Sequence, residues 1–150
     1  MEDLSLHILD IVENSIRSNA SRVEISVIED KNLNIRTLCI ADNGTGMDPE
    51  LCAQAGDPFV TTKPGKRIGL GLALLSQAAK EADGELSITS VPDRGTTVKA
   101  FFRTDHPDCK PLGDVGASLQ ILITANPDIA FIYEYKNGRE STRFDTREFR

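Results

Sequence analysis

The 150-residue sequence predicts an α+β fold, a two-layer α/β sandwich with one mixed sheet and a short C-terminal helix–hairpin extension. Three observations lead there. Apolar residues recur at helical spacing near the N-terminus and again in the middle of the chain. A pair of strands follows each of these helices, and a Gly-, Asp- and Pro-rich stretch separates the two halves.

Taken in order, Leu4, Ile8, Leu9, Ile11, Val12 and Ile16 fall on one broad arc of a helix from about Leu4 to Asn19. Val23–Glu29 and Leu33–Ala41 read as two strands joined by an Asp30-Lys31-Asn32 turn. A loop follows, with a short helix near Pro49–Gln54. Gly69–Ala82 is the second strong helix, ended by Gly84. Glu85–Val91 and Thr96–Arg103 form a strand pair across Pro92-Asp93-Arg94-Gly95. Thr104–Gly113 holds two prolines and reads as a linker. Ala117–Ala125 then reads as an apolar helix, and Ile129–Lys136 with Arg139–Asp145 as a hairpin about Asn137-Gly138, a type I′ signal. Residues 1–103 are expected to form one domain, with 104–150 an extension packed on it.

Composition narrows the function. A net charge of −6 offers no large basic face, the dense basic run being only Lys63 to Arg67, so nucleic acid is not an expected partner. No stretch nears the roughly 20 apolar residues of a membrane span, and no signal-peptide pattern opens the chain, so a soluble cytoplasmic protein is expected. Three widely spaced cysteines without a CxxC read as reduced thiols, and with only two histidines no His-based metal site is expected.

Three motifs carry chemistry. On the first helix His7, Asp10, Asn14 and Arg17 form one polar stripe. Alone this reads as a solvated face, but Asn14 is a poor mid-helix residue better suited to a ligand role. An Asp and an Asn one turn apart suit Mg²⁺ and a water near phosphate oxygens. Next, Asp42-Asn43-Gly44-Thr45-Gly46-Met47 follows a strand directly. It is turn chemistry, yet an Asp accepts without donating, which suits the exocyclic amine of adenine, and its glycines allow close backbone approach to a ligand. Third, Asp57 to Leu72 runs from a Thr-, Lys- and Gly-rich loop into a Gly-x-Gly helix start, where unpaired N–H groups and the helix dipole favour phosphate. It is neither a Walker loop nor a dinucleotide fingerprint.

In combination these pieces resemble the boxes of the gyrase/Hsp90/histidine-kinase/MutL (GHKL) ATPases. Ile8 to Ser15 is similar to the N box, Asp42-x-Gly44-x-Gly46 to the first glycine box, and Gly69-Leu70-Gly71-Leu72 to the second. Phe59 with Thr61-Thr62-Lys63 looks like the phenylalanine box and ATP lid of sensor kinases, and Gly95-Thr96-Thr97 like the closing glycine–threonine strand. The resemblance spans residues 4 to 103 and implies the Bergerat, histidine-kinase-like ATPase fold. It implies that Asn14 coordinates Mg²⁺, that Asp42 binds the adenine amine assisted by Thr96, and that Gly44 and Gly46 line the base. Phe59 and Thr62 belong to the nucleotide site on the same ground. Gly69, Leu70, Gly71 and Leu72 would cradle phosphates, with Lys63, Lys66 or Arg67 neutralising the γ-phosphate. Asp10 stands where hydrolysing members carry a Glu general base; being one methylene shorter, it has less reach to an attacking water.

Within that resemblance the expected function is a stand-alone regulatory Mg–ATP-binding module or slow ATPase with a protein partner or phosphoacceptor. The alternatives are a kinase acting in trans, similar to anti-sigma-factor kinases, and a docking protein with a degenerate pocket. No dimerisation helix with a phosphoacceptor histidine is expected ahead of residue 4. The tail motif Pro111-Leu112-Gly113-Asp114 also resembles small ATP-binding proteins of anaerobic bacteria.

Overall fold

A computed structural model describes residues 3–46 and 70–149. Helix α1 (Leu4–Arg17) begins because Asp3 caps it, its carboxylate accepting from the Ser5 N–H at 3.1 Å. It stops two residues before the predicted end. The Asn19 N–H donates to the Ile16 carbonyl and the Ala20 N–H to the Ser15 carbonyl, a Schellman closure with Asn19 left-handed at φ 62°.

Strands β1 (Arg22–Asp30) and β2 (Ile35–Asp42) pair antiparallel, Asp30 opposite Ile35. Their turn is longer than the predicted three residues, because Asp30 accepts from the Asn32 and Leu33 N–H groups and Asn34 turns left-handed. Leu33 is therefore exposed in the turn and does not start the strand.

Helix α2 (Leu70–Glu81) ends on Asp83, not on Gly84: Asp83 takes the left-handed conformation at φ 55°. Gly84 is required for another reason, since a side chain there would collide with the Phe101 carbonyl of the neighbouring strand. The predicted helix near Pro49–Gln54 lies outside the described residues.

Strands β3 (Glu85–Val91) and β4 (Gly95–Arg103) pair as expected, and their turn places Asp93 left-handed after Pro92, with the Arg94 N–H donating to the Val91 carbonyl. Helix α3 (Val115–Ala125) starts two residues early on an Asp114 cap that accepts from the Ala117 N–H. Strands β5 (Ala130–Asn137) and β6 (Glu140–Asp145) complete the sheet, followed by a 3₁₀ turn at Thr146–Phe149. The hairpin differs from the type I′ expectation. Asn137 is the last paired residue, the two-residue loop is Gly138-Arg139, and of those two only Gly138 has positive φ, which is the type II′ pattern.

The six strands lie in the order β3-β4-β2-β1-β5-β6. Among the paired strands only β1 and β5 run parallel, the chain passing from β4 through α3 to bring β5 beside β1, so the sheet is mixed. Helices α2 and α3 both pack against α1. Alternation along the strands sends Val23, Ile25, Val27, Leu38, Ile40, Val98, Phe102 and Phe131 into the buried core, which they share with Leu4, Ile8 and Val12 of α1 and Leu75 of α2. The residues beyond Arg103 thus supply two strands of the sheet and a helix beside α1. The predicted linker runs over α1, where the Leu4 N–H donates to the Pro111 carbonyl at 2.9 Å and Gly113 sits against the Asp3 carboxylate.

A candidate nucleotide cleft between the first helix and the sheet

At the C-terminal end of β2, strand alternation points Ile40 and then Asp42 toward the helices, and Thr96 of β4 pairs directly across from Asp42. Ile40 is buried, whereas Asp42 lies at the margin of the core and is half-buried. Among the described residues three donors hold its carboxylate. Oδ1 accepts from the Gly44 N–H at 2.9 Å and the Thr96 N–H at 3.3 Å. Oδ2 accepts from the Ser15 hydroxyl of α1 at 2.6 Å. The Thr96 hydroxyl is 2.8 Å from the Ser90 hydroxyl, so Thr96 supports Asp42 through its backbone N–H.

A small cleft opens beside this carboxylate. Ile11, Leu72, Ile40 and Val98 give it apolar walls, and Asn14, Ser15, Ser18, Asp42 and Thr96 converge on it. Asn14 is half-buried, and its Oδ1 takes a long bond of 3.5 Å from the Arg17 guanidinium.

The loop after Asp42 is tied on both sides. The Thr45 N–H donates to the Ser18 carbonyl at 2.9 Å, and the Asp93 N–H to the Thr45 carbonyl at 2.7 Å. Asn43 reaches back across β1, its Oδ1 accepting from the Ser21 and Arg22 N–H groups. A Cβ added at Gly44 would lie 2.6 Å from the Ser18 carbonyl, and one at Gly46 would lie 2.5 Å from the Val91 carbonyl. The close approach that both glycines permit is to the protein's own backbone.

Residues 2–106 match the family of histidine kinase-, DNA gyrase B- and HSP90-like ATPases. The chain belongs to this ATPase family. Its α+β fold with a six-stranded mixed sheet and helices α1 to α3 is that of a GHKL ATPase domain, and membership supports ATP binding. Sporulation kinase C of Bacillus subtilis is 33% identical over 63% of this chain and 22% of its own length. Sensor protein kinase FleS of Pseudomonas aeruginosa is 38% identical over 59% of this chain and 22% of its own. Nitrogen regulation protein NtrY of Azorhizobium caulinodans is 31% identical over 64% and 11%. The chain therefore spans less than a quarter of the length of each of these relatives.

Against this GHKL frame, the cleft brings together Asn14, Asp42, Leu72 and Thr96 of the residues singled out from sequence. Asp10 is half-buried one turn before Asn14 and does not line the described cleft. Leu72 contributes a side chain that is 1% exposed and belongs to the core, so it enters the site as an apolar wall of the cleft. Leu70 and Gly71 begin α2, while Phe59, Thr62, Lys63, Lys66, Arg67 and Gly69 lie outside the described residues.

The polar stripe of α1 is not a solvated face throughout. His7 is 3% exposed and only Arg17 of the four is open to solvent. Sequence reasoning gave no role to Ser15 or Ser18. Ser15 had a signal: it continues the spacing of Ile8, Ile11 and Val12, and a hydroxyl on a buried arc needs a partner.

Cys39 and Cys109 are free, and burial pushes both thiols above the ordinary range, away from nucleophilic use. Among the described residues no group of three or more His, Cys, Asp or Glu could hold a metal, and no helix is long and apolar enough to cross a membrane.

Proposed function

We propose that the chain binds Mg–ATP in this cleft and acts as a regulatory nucleotide-binding module or slow ATPase. The observation that carries the reading is the Asp42 carboxylate, oriented by three donors from α1, the following loop and β4, and opening onto an apolar slot. An acceptor-only group there accepts from the adenine amine and faces an acceptor if guanine enters. Asn14 would hold Mg²⁺ in this reading. One amide oxygen completed by phosphate oxygens and waters fits an ion that takes few protein ligands, and the Arg17 contact to that oxygen is long enough to yield. When bound, the ion supplies charge neutralisation at the phosphates. Asp10, on the same helix one turn earlier, is the residue for activating water, and the rest of the phosphate cradle falls to the start of α2 and the basic residues before it.

Isothermal calorimetry tests the assignment. The full chain should bind ATP with Mg²⁺ at least tenfold more tightly than GTP, and Asp42→Asn should lose at least tenfold in ATP affinity while keeping its circular dichroism spectrum. Equal affinity for the two nucleotides defeats it.

A second reading is phosphotransfer to another protein, favoured by the names of relatives that are themselves kinases. Of the two histidines, His7 is buried and His106 lies 3.7 Å from the Asp83 carboxylate, so an acceptor is sought on a partner. Incubation with γ-labelled ATP and cell extract separates the readings. Free phosphate supports an ATPase, a labelled foreign protein supports a kinase, and neither leaves a nucleotide-dependent switch.

A further inference from the structure

We propose that Ser15 is a positioning and specificity residue for base recognition, acting through Asp42. This rests on the reading of Asp42 as the adenine contact. A carboxylate offers about four lone-pair sites. The Gly44 and Thr96 N–H groups take both sites on Oδ1, and the Ser15 hydroxyl takes one on Oδ2. Counting the described donors, one acceptor site is left, on the oxygen that Ser15 holds, in a cleft that both residues line. A single site accepts one of the two N–H groups of an exocyclic amine.

Ser15 also settles where its own proton goes. Its oxygen is 2.6 Å from Asp42 Oδ2 and 3.4 Å from the Ile11 carbonyl, and the charge-assisted bond is the shorter and stronger of the two. With its proton committed to Asp42, the Ser15 hydroxyl has no donor left to offer a ligand in the cleft that the residue lines. The wall formed by Ser15 and Asp42 therefore accepts and does not donate. A purine with a donor at position 6 fits it; one with a carbonyl there meets acceptors from two residues. Ser15 is 4% exposed and comes from a different element than Asp42, so it ties the orientation of the base contact to the seating of α1 on the sheet.

The test compares two ligands on two proteins. Wild type and Ser15→Ala are titrated with ATP and with purine riboside triphosphate, which lacks the 6-amino group, and thermal melts check the fold of both. Removing one charge-assisted hydrogen bond should weaken ATP about tenfold, while purine riboside triphosphate should change by less than about twofold. Equal weakening of both ligands, or none of either, overturns the proposal, because a purely structural Ser15 does not sense the amine. The underlying assignment fails separately. If wild type does not prefer ATP over purine riboside triphosphate, Asp42 is not the amine contact. If wild type prefers ATP and Ser15→Ala keeps the same ratio, only the role of Ser15 is lost.

Discussion

Gly95 shows how much a single position can hold in place. It opens β4 at φ 125°, and a side chain there would drive into the Asp42 carbonyl. Both effects oppose any other residue, the strained backbone alone costing about 1–3 kcal/mol. Gly95→Ala should therefore lower the thermal midpoint by roughly 10 °C and displace Asp42, so that ATP affinity measured by calorimetry falls as well. Asp10 makes a different kind of claim. A general base must come within about 3 Å of the water it activates before its pKa matters. Asp10 is half-buried and lies outside the described cleft. Asp10→Asn should keep ATP affinity within about twofold yet lose at least tenfold in phosphate release, and Asp10→Glu should raise it. Turnover unchanged in Asp10→Asn would reduce Asp10 to a polar helix residue and favour the switch or kinase reading.

At the scale of elements, endings proved more informative than interiors. Both α1 and α2 close on left-handed residues, Asn19 and Asp83, that are not glycine. Asn and Asp tolerate this conformation, whereas a β-branched residue does not. Asn19→Val should destabilise the protein by about 1–2 kcal/mol in urea unfolding, and Asn19→Gly should leave stability within about 0.5 kcal/mol. Equal losses in both variants would show that Asn19 matters through its side chain. The stake exceeds one helix end, because the same turn carries Ser15 and Ser18 to the cleft.

At the scale of the whole molecule, the segment after Arg103 completes the sheet beside β1 and straps the N-terminus of α1. Its far edge is tied by Asp145, whose carboxylate accepts from Arg147 at 2.7 Å and faces Arg143 at 3.8 Å. The Arg147 hydrogen bonds, with help from the two positive charges, hold the Asp145 carboxyl down to about 2. A carboxyl depressed in the folded state stabilises the fold fully above its ordinary value of 3.8 and loses that contribution as pH falls toward 2. Thermal melts of wild type and Arg147→Met should therefore differ at pH 5 and converge by about pH 2. A gap that stays constant across this range would assign the effect of Arg147 to packing.

Sequence alone settled the element order, the alternation of the strands and the family, because those depend on local periodicity and on short motifs whose residue types name their chemistry. Asp42 and Asn14 stood out as polar residues at positions that suit a ligand or a turn, and Thr96 through the resemblance alone; the structure brings all three to one cleft. The tertiary structure decided what depends on distant neighbours. Gly44, Gly46 and Gly84 answer to carbonyls of Ser18, Val91 and Phe101, which lie 26, 45 and 17 positions away along the chain. Ser15 meets Asp42 across 27 positions. Neither the parallel pairing of β5 with β1 nor the burial of His7 has a local signature, since both arise only when helices and strands remote in sequence close over one core.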